Sequence, residues 1–79
     1  MKQERQYILK DGMKKQIRMM KIDDEKITNR KIAEILGISE SYVSEIMNRK
    51  KTKISKLMAY AFCKTINSDF EIPDLFDIK

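Results

Sequence analysis

The chain has 79 residues, 17 of them Lys or Arg and 12 Asp or Glu, for a net charge of +5. Its sequence pI is about 9.4. Without His, and with Cys63 as its single Cys, it excludes imidazole general bases, His-dependent triads, internal disulfides and CxxC motifs.

The length predicts one domain over residues 1–79, with a core near the lower limit for stability without staples. An apolar content of 42% argues against wholesale disorder. No apolar run approaches the roughly 20 residues of a membrane span. Met1–Lys10 lacks the apolar segment of a signal peptide. No membrane partner, metal or cofactor is therefore expected, and the lone Cys suits a reducing compartment, the cytoplasm. Two Gly, one Pro and few β-branched residues other than Ile predict an all-α chain. A small basic helical domain fits a binder of acidic polymers better than an enzyme.

The charge is unevenly spread. Residues 1–66 hold 16 basic and 8 acidic side chains, a net of +8. Residues 67–79 hold one basic and four acidic, a net of −3.

Residues 1–11 read as an N-terminal arm or an early extension of the first helix, polar apart from Tyr7, Ile8 and Leu9, with Gly12 as a break. A first helix is predicted over Met13–Ile22, because Met13, Ile17 and Met20 fall on one face. Its lysines, Lys14 among them, read as a solvated face. Asp23–Lys26 reads as a polar connection.

The second helix opens at Thr28, an N-cap, with Ile27 and Ile32 as a hydrophobic staple. Ile32, Ala33, Ile35 and Leu36 form its expected buried stripe, and Gly37 suits a left-handed stop. The third helix repeats the device with Ser39 as N-cap and Ile38 and Val43 as staple. Val43, Ile46 and Met47 face inward, while Ser41, Ser44, Glu45 and Asn48 face outward. Glu45 and Arg49 stand in the favourable i,i+4 order.

Arg49–Lys53 carries four basic residues in five, and a fourth helix is predicted over Ile54–Ile66. Met58, Phe62, Thr65 and Ile66 share one side of it, and Lys56, Tyr60, Lys64 and Asn67 the opposite side. Cys63 and the methionines 13, 19, 20, 47 and 58 read as packing residues. Residues 68–79 form a tail, where Pro73 suits the first turn of a short helix.

Residues 28–48 place two capped helices around a three-residue corner. Ala33 permits close approach, Gly37 makes the corner, and Ile38 plugs it. A helix braced in this way presents its free face to a DNA major groove. The run from Thr28 to Asn48, with Ala33, Leu36-Gly37-Ile38-Ser39 and Val43, resembles the helix-turn-helix of the Cro/C1-type (XRE) regulators. Ile54–Ile66 looks like that family's fourth helix, and Pro73-Asp74-Leu75-Phe76 like its ending, so the resemblance covers roughly residues 12–78. It implies a compact lambda-repressor-like domain of four to five helices.

The chain departs from the family pattern at four places. Asn29 stands for the usual Gln, and Glu40 stands where Gln is frequent. Arg49 stands for the glycine that often ends the third helix, so that cap is expected to be missing. The stretch between Ile17 and Thr28 looks about one residue longer than usual.

The resemblance assigns base reading to Glu40, Ser41, Ser44 and Glu45. It assigns phosphate contacts to Thr28, Asn29, Tyr42, Asn48, Arg49, Lys50 and Lys51. The physics agrees for Thr28 and Asn29, because free amides at a helix start favour an anion. Carboxylates repel phosphate but accept from the cytosine amino group. Each also has a plainer reading. Glu40 suits a helix dipole, Glu45 a pair with Arg49, and Tyr42 packing on a neighbouring helix.

In the tail, Phe70, Ile72, Leu75, Phe76 and Ile78 read partly as core cap and partly as dimer contact. The expected function is that of a sequence-specific regulator, a phage- or prophage-type Cro-like repressor in the bacterial cytoplasm. It would bind as a homodimer and occlude a pseudo-palindromic operator in double-stranded DNA. With the resemblance taking up nearly the whole chain, no sensing domain is expected. The alternatives are an antitoxin whose tail binds another protein, and an interaction module that has lost DNA binding.

Overall fold

The computed structural model describes residues 5–79. In chain order the elements are β1 (Tyr7–Leu9), α1 (Met13–Arg18), β2 (Lys21–Ile22), β3 (Glu25–Lys26), α2 (Asn29–Leu36), α3 (Glu40–Met47), α4 (Lys56–Ile66), α5 (Ile72–Leu75) and β4 (Phe76–Ile78). The helical framework agrees with the sequence reading. The all-α expectation is corrected, because two small antiparallel sheets complete the fold.

β1 pairs with β4, Tyr7 opposite Ile78 and Leu9 opposite Phe76. The residues expected in a free arm are thus a strand from Tyr7 to Leu9; the first four lie outside the described residues. Tyr7 and Leu9 are buried, with Ile8 half-buried between them. Buried backbone requires partners. Accordingly the Tyr7 amide donates to the Thr52 carbonyl and the Lys10 amide to the Leu75 carbonyl, both at 2.8 Å.

The second correction concerns the first helix. It stops at Arg18, and the chain then turns into a hairpin of β2 and β3. Asp23 and Asp24 have φ of 50° and 65°. Two successive left-handed residues make the type I′ turn whose twist suits a two-residue hairpin loop. Asp tolerates this conformation better than most residues do. Two acids that read as a mere polar connection therefore fold the chain back on itself.

α2 and α3 form as their caps dictate. Thr28 Oγ1 accepts from the Lys31 amide at 3.1 Å, and Ser39 Oγ accepts from the Tyr42 amide at 3.0 Å. Gly37 takes φ 69° and carries the chain round the corner. Ile32 and Ala33 are buried and Leu36 half-buried, but Ile35 is 50% exposed. At 100° per residue Ile35 falls on the flank away from Ala33, which removes it from the expected stripe.

α4 is capped by Ser55, whose Oγ accepts from the Met58 amide at 3.0 Å. It buries Ala59, Phe62, Cys63 and Ile66. The core also holds Ile17, Ile32, Val43, Ile46, Leu75 and Phe76. The Phe76 ring meets Phe62 edge-on at 5.8 Å and Tyr7 at 6.5 Å. Met19 is 77% exposed, so it does not join the other methionines in or beside the core.

The same packing makes most of the tail a core cap. Ile72, Leu75 and Phe76 are buried in the chain's own core, and Phe70 packs half-buried against it. Of the five residues named as dimer candidates, Ile78 alone is exposed. The apolar tail exists because β4 closes the sheet with β1. Ile72, Leu75 and Phe76 thus serve the core-cap side of the expectation.

Candidate nucleic-acid interface

α3 is held from beneath by Val43, Ile46 and Met47, all buried. Its other side carries exposed Glu40, Ser41 and Glu45, with Ser44 half-buried. A buried stripe under a polar face makes a rigid platform for reading side chains.

At the start of α2, Thr28 is exposed and Asn29 half-exposed. Thr28 uses its oxygen as a cap, which leaves its hydroxyl hydrogen free to donate outward. No acidic residue occupies the first turn of α2. The positive end of its dipole is therefore open to an anion.

The C-terminal end of α3 differs from expectation. Arg49 has φ 64°. The Arg49 amide donates to the Ile46 carbonyl at 3.1 Å, and the Lys50 amide to the Glu45 carbonyl at 2.8 Å. These two bonds define a Schellman cap, with Arg49 at the position glycine usually fills. The cap expected to be missing is present in geometry, formed by a residue with a Cβ.

That backbone turn explains why Glu45 and Arg49 do not pair as predicted. Arg49 has left the helix, so the i,i+4 spacing no longer holds. Its guanidinium lies 4.0 Å from the Asp11 carboxylate instead. The Glu45 carboxylate lies 4.0 Å from the Lys51 ammonium. Lys51 also sits over the Tyr42 ring, 4.9 Å from its centre. Tyr42 packs half-buried against the core. Lys50 remains exposed.

One contact was hidden from the sequence. Lys14 Nζ donates to Asn48 Oδ1, and Asn48 Nδ2 donates to Ser44 Oγ at 3.2 Å. Lys14 read as part of a solvated face; it reaches the end of α3 from 34 residues away. No sequence signal marks such a contact, because α1 and α3 are neighbours only after folding.

Two short helices around a left-handed glycine corner, the second braced and polar outward, define a helix-turn-helix module. The chain belongs to the helix-turn-helix family of Cro/C1 (XRE) type, whose family model matches residues 17–72. Its general class is that of a DNA-binding regulator of transcription. Comparison with curated proteins and with solved structures gives no match. Among the described residues, no helix is long and apolar enough to cross a membrane.

Proposed function

We propose that the chain is a sequence-specific repressor that binds duplex DNA with α3 in the major groove. The observation that carries this reading is the braced α3, with Glu40, Ser41, Ser44 and Glu45 on its outer side and cations gathered at its C-terminal end. Ser41 and Ser44 offer hydroxyls to base edges. Glu40 and Glu45 accept from cytosine amino groups and repel phosphate, trading affinity for discrimination. Thr28, Asn29, Asn48, Arg49, Lys50 and Lys51 hold the backbone on either side, and Tyr42 supports Lys51. Repression follows from occupancy, as in a Cro-like phage or prophage regulator acting in the bacterial cytoplasm.

Binding as a two-fold dimer to a pseudo-palindromic operator completes the proposal. With most of the tail in the core, the contact is assigned to the apolar side chains left outside. Leu57 is 76% exposed, Tyr60 48% and Ile78 40%. Tyr60 and Ile78 line one groove with Ile72 and Pro73. Leu57 and Tyr60 are one helical turn apart.

Selection from random duplexes tests the whole reading. The expected result is a motif with two half-sites about one helical turn apart. A double substitution, Arg49→Ala with Lys50→Ala, should weaken all sequences alike and lower the salt slope by about 1.8. Absence of any enriched motif, with no salt-dependent binding, refutes the function. Sedimentation of Leu57→Lys with Tyr60→Lys on operator DNA tests the dimer; an unchanged two-to-one complex refutes that contact.

A further inference from the structure

The three side chains Lys14, Asn48 and Ser44 form a chain of hydrogen bonds whose direction is set by chemistry. A lysine ammonium has donors and no acceptor, so the oxygen of the Asn48 amide must face it. The amide NH₂ is then turned toward Ser44, and that group has donors only. Ser44 Oγ must therefore accept. A serine hydroxyl holds one hydrogen and two acceptor sites. One acceptor site is occupied by Asn48, and among the described residues no group takes the hydrogen of Ser44. Thr65 on α4 shows the contrast: its hydroxyl donates back to the Ala61 carbonyl at 2.8 Å.

Lys14 is well placed for this role. Asn48 caps the C-terminal end of α3, the negative pole of its dipole. An ammonium is favoured there, and it comes from α1 rather than from the basic run that follows α3.

We propose that Lys14 is a specificity-determining positioning residue. Through Asn48 it fixes Ser44 as a hydrogen-bond donor toward the groove. This inference rests on the DNA-binding reading of α3. A fixed donor recognises base edges that accept, namely purine N7, guanine O6 and thymine O4. Edges that present an amino group, adenine N6 or cytosine N4, can still use the hydroxyl's open acceptor site but gain nothing from its fixed hydrogen. Without Lys14 the Asn48 amide can turn over, Ser44 can donate inward or outward, and the distinction fades. Lys14 thus shapes recognition without touching a base.

The experiment is selection from random duplexes, followed by binding and salt titration on the selected site, with the parent, Lys14→Met, Asn48→Asp and Ser44→Ala. Circular dichroism melts confirm that each variant folds. The parent must select a motif; if it selects none, the DNA reading itself fails. With a motif in hand, Lys14→Met should keep the consensus but lose roughly 3- to 10-fold discrimination at one position per half-site. Its salt slope should stay within about half a unit of the parent. Ser44→Ala should lose the same position, and Lys14→Met should add nothing in that background. Asn48→Asp provides the reversal. A carboxylate only accepts, so it draws the Ser44 hydrogen inward and turns the preference toward amino-bearing edges.

Two results overturn the proposal. In one, Lys14→Met selects the parental motif with undiminished discrimination. In the other, its salt slope falls by about 0.9 with every position equally affected, which identifies Lys14 as a phosphate contact.

Discussion

Arg49→Gly separates the stability of α3 from its grip on DNA. Arg49 sits at φ 64° and closes the Schellman cap through its own amide and that of Lys50. A left-handed backbone costs a residue with a Cβ roughly 1–2 kcal/mol. Glycine removes that strain but returns about 0.4–1 kcal/mol of entropy to the unfolded chain. The difference leaves the variant more stable by about 0.8 kcal/mol. For a domain of this size that is roughly 3–6 °C in Tm. The Arg49–Asp11 pair does not alter the balance, since the Asp11 side chain is almost fully in solvent. Arg49→Ala is the matched control, because it removes the same charge and keeps the strain. Urea unfolding of the three proteins gives the ranking directly, with Gly above Ala at equal m-values. Both variants should show the same fall in the salt slope of DNA binding, about 0.9. If Gly and Ala are equally stable, the left-handed strain at Arg49 is not what limits the end of α3, and the cap argument is wrong.

The hairpin of β2 and β3 gives a related expectation. Asp24→Gly should raise stability by about 0.5 kcal/mol in urea unfolding, since type I′ turns favour glycine at their second position. A loss of stability would show that Asp24 contributes through its side chain. In the core, Phe76→Ala should remove about 3–5 kcal/mol and Ile78→Ala far less. A full-stability Phe76→Ala monomer by thermal melt would place that ring outside the core. The last expectation concerns pH. Burial, then the Asp74 carboxylate, push the Cys63 thiol from its ordinary 9.0 up to about 12. The unfolded thiol ionises first, so this contribution to stability is complete below pH 9 and is lost as pH rises toward 12. The parent should therefore lose up to about 1.4 kcal/mol per pH unit more than Cys63→Ala across that window. Parallel pH profiles of the two proteins would contradict it.

The sequence alone determined the helix-turn-helix, because every device that shapes it acts over a few residues. Thr28 and Ser39 each cap an amide three positions on, and Gly37 turns the corner by its own backbone freedom. Val43, Ile46 and Met47 declare their face by helical spacing. The opening charge of +5 likewise divided into a cationic body and an anionic tail without any coordinates. Tertiary structure decided what depends on residues far apart. A three-residue strand such as Tyr7–Leu9 is too short to show alternation, and its partner lies at the other end of the chain. That pairing turned an expected arm into core and buried Ile72, Leu75 and Phe76. The left-handed Arg49 was equally concealed, because residue type argued against a conformation that the cap's two hydrogen bonds enforce. Lys14 reached Asn48 only once α1 was packed beside the end of α3. Local hydrogen bonds and helical period are written in consecutive residues; the partners of strands and long side chains exist only where the fold brings them together.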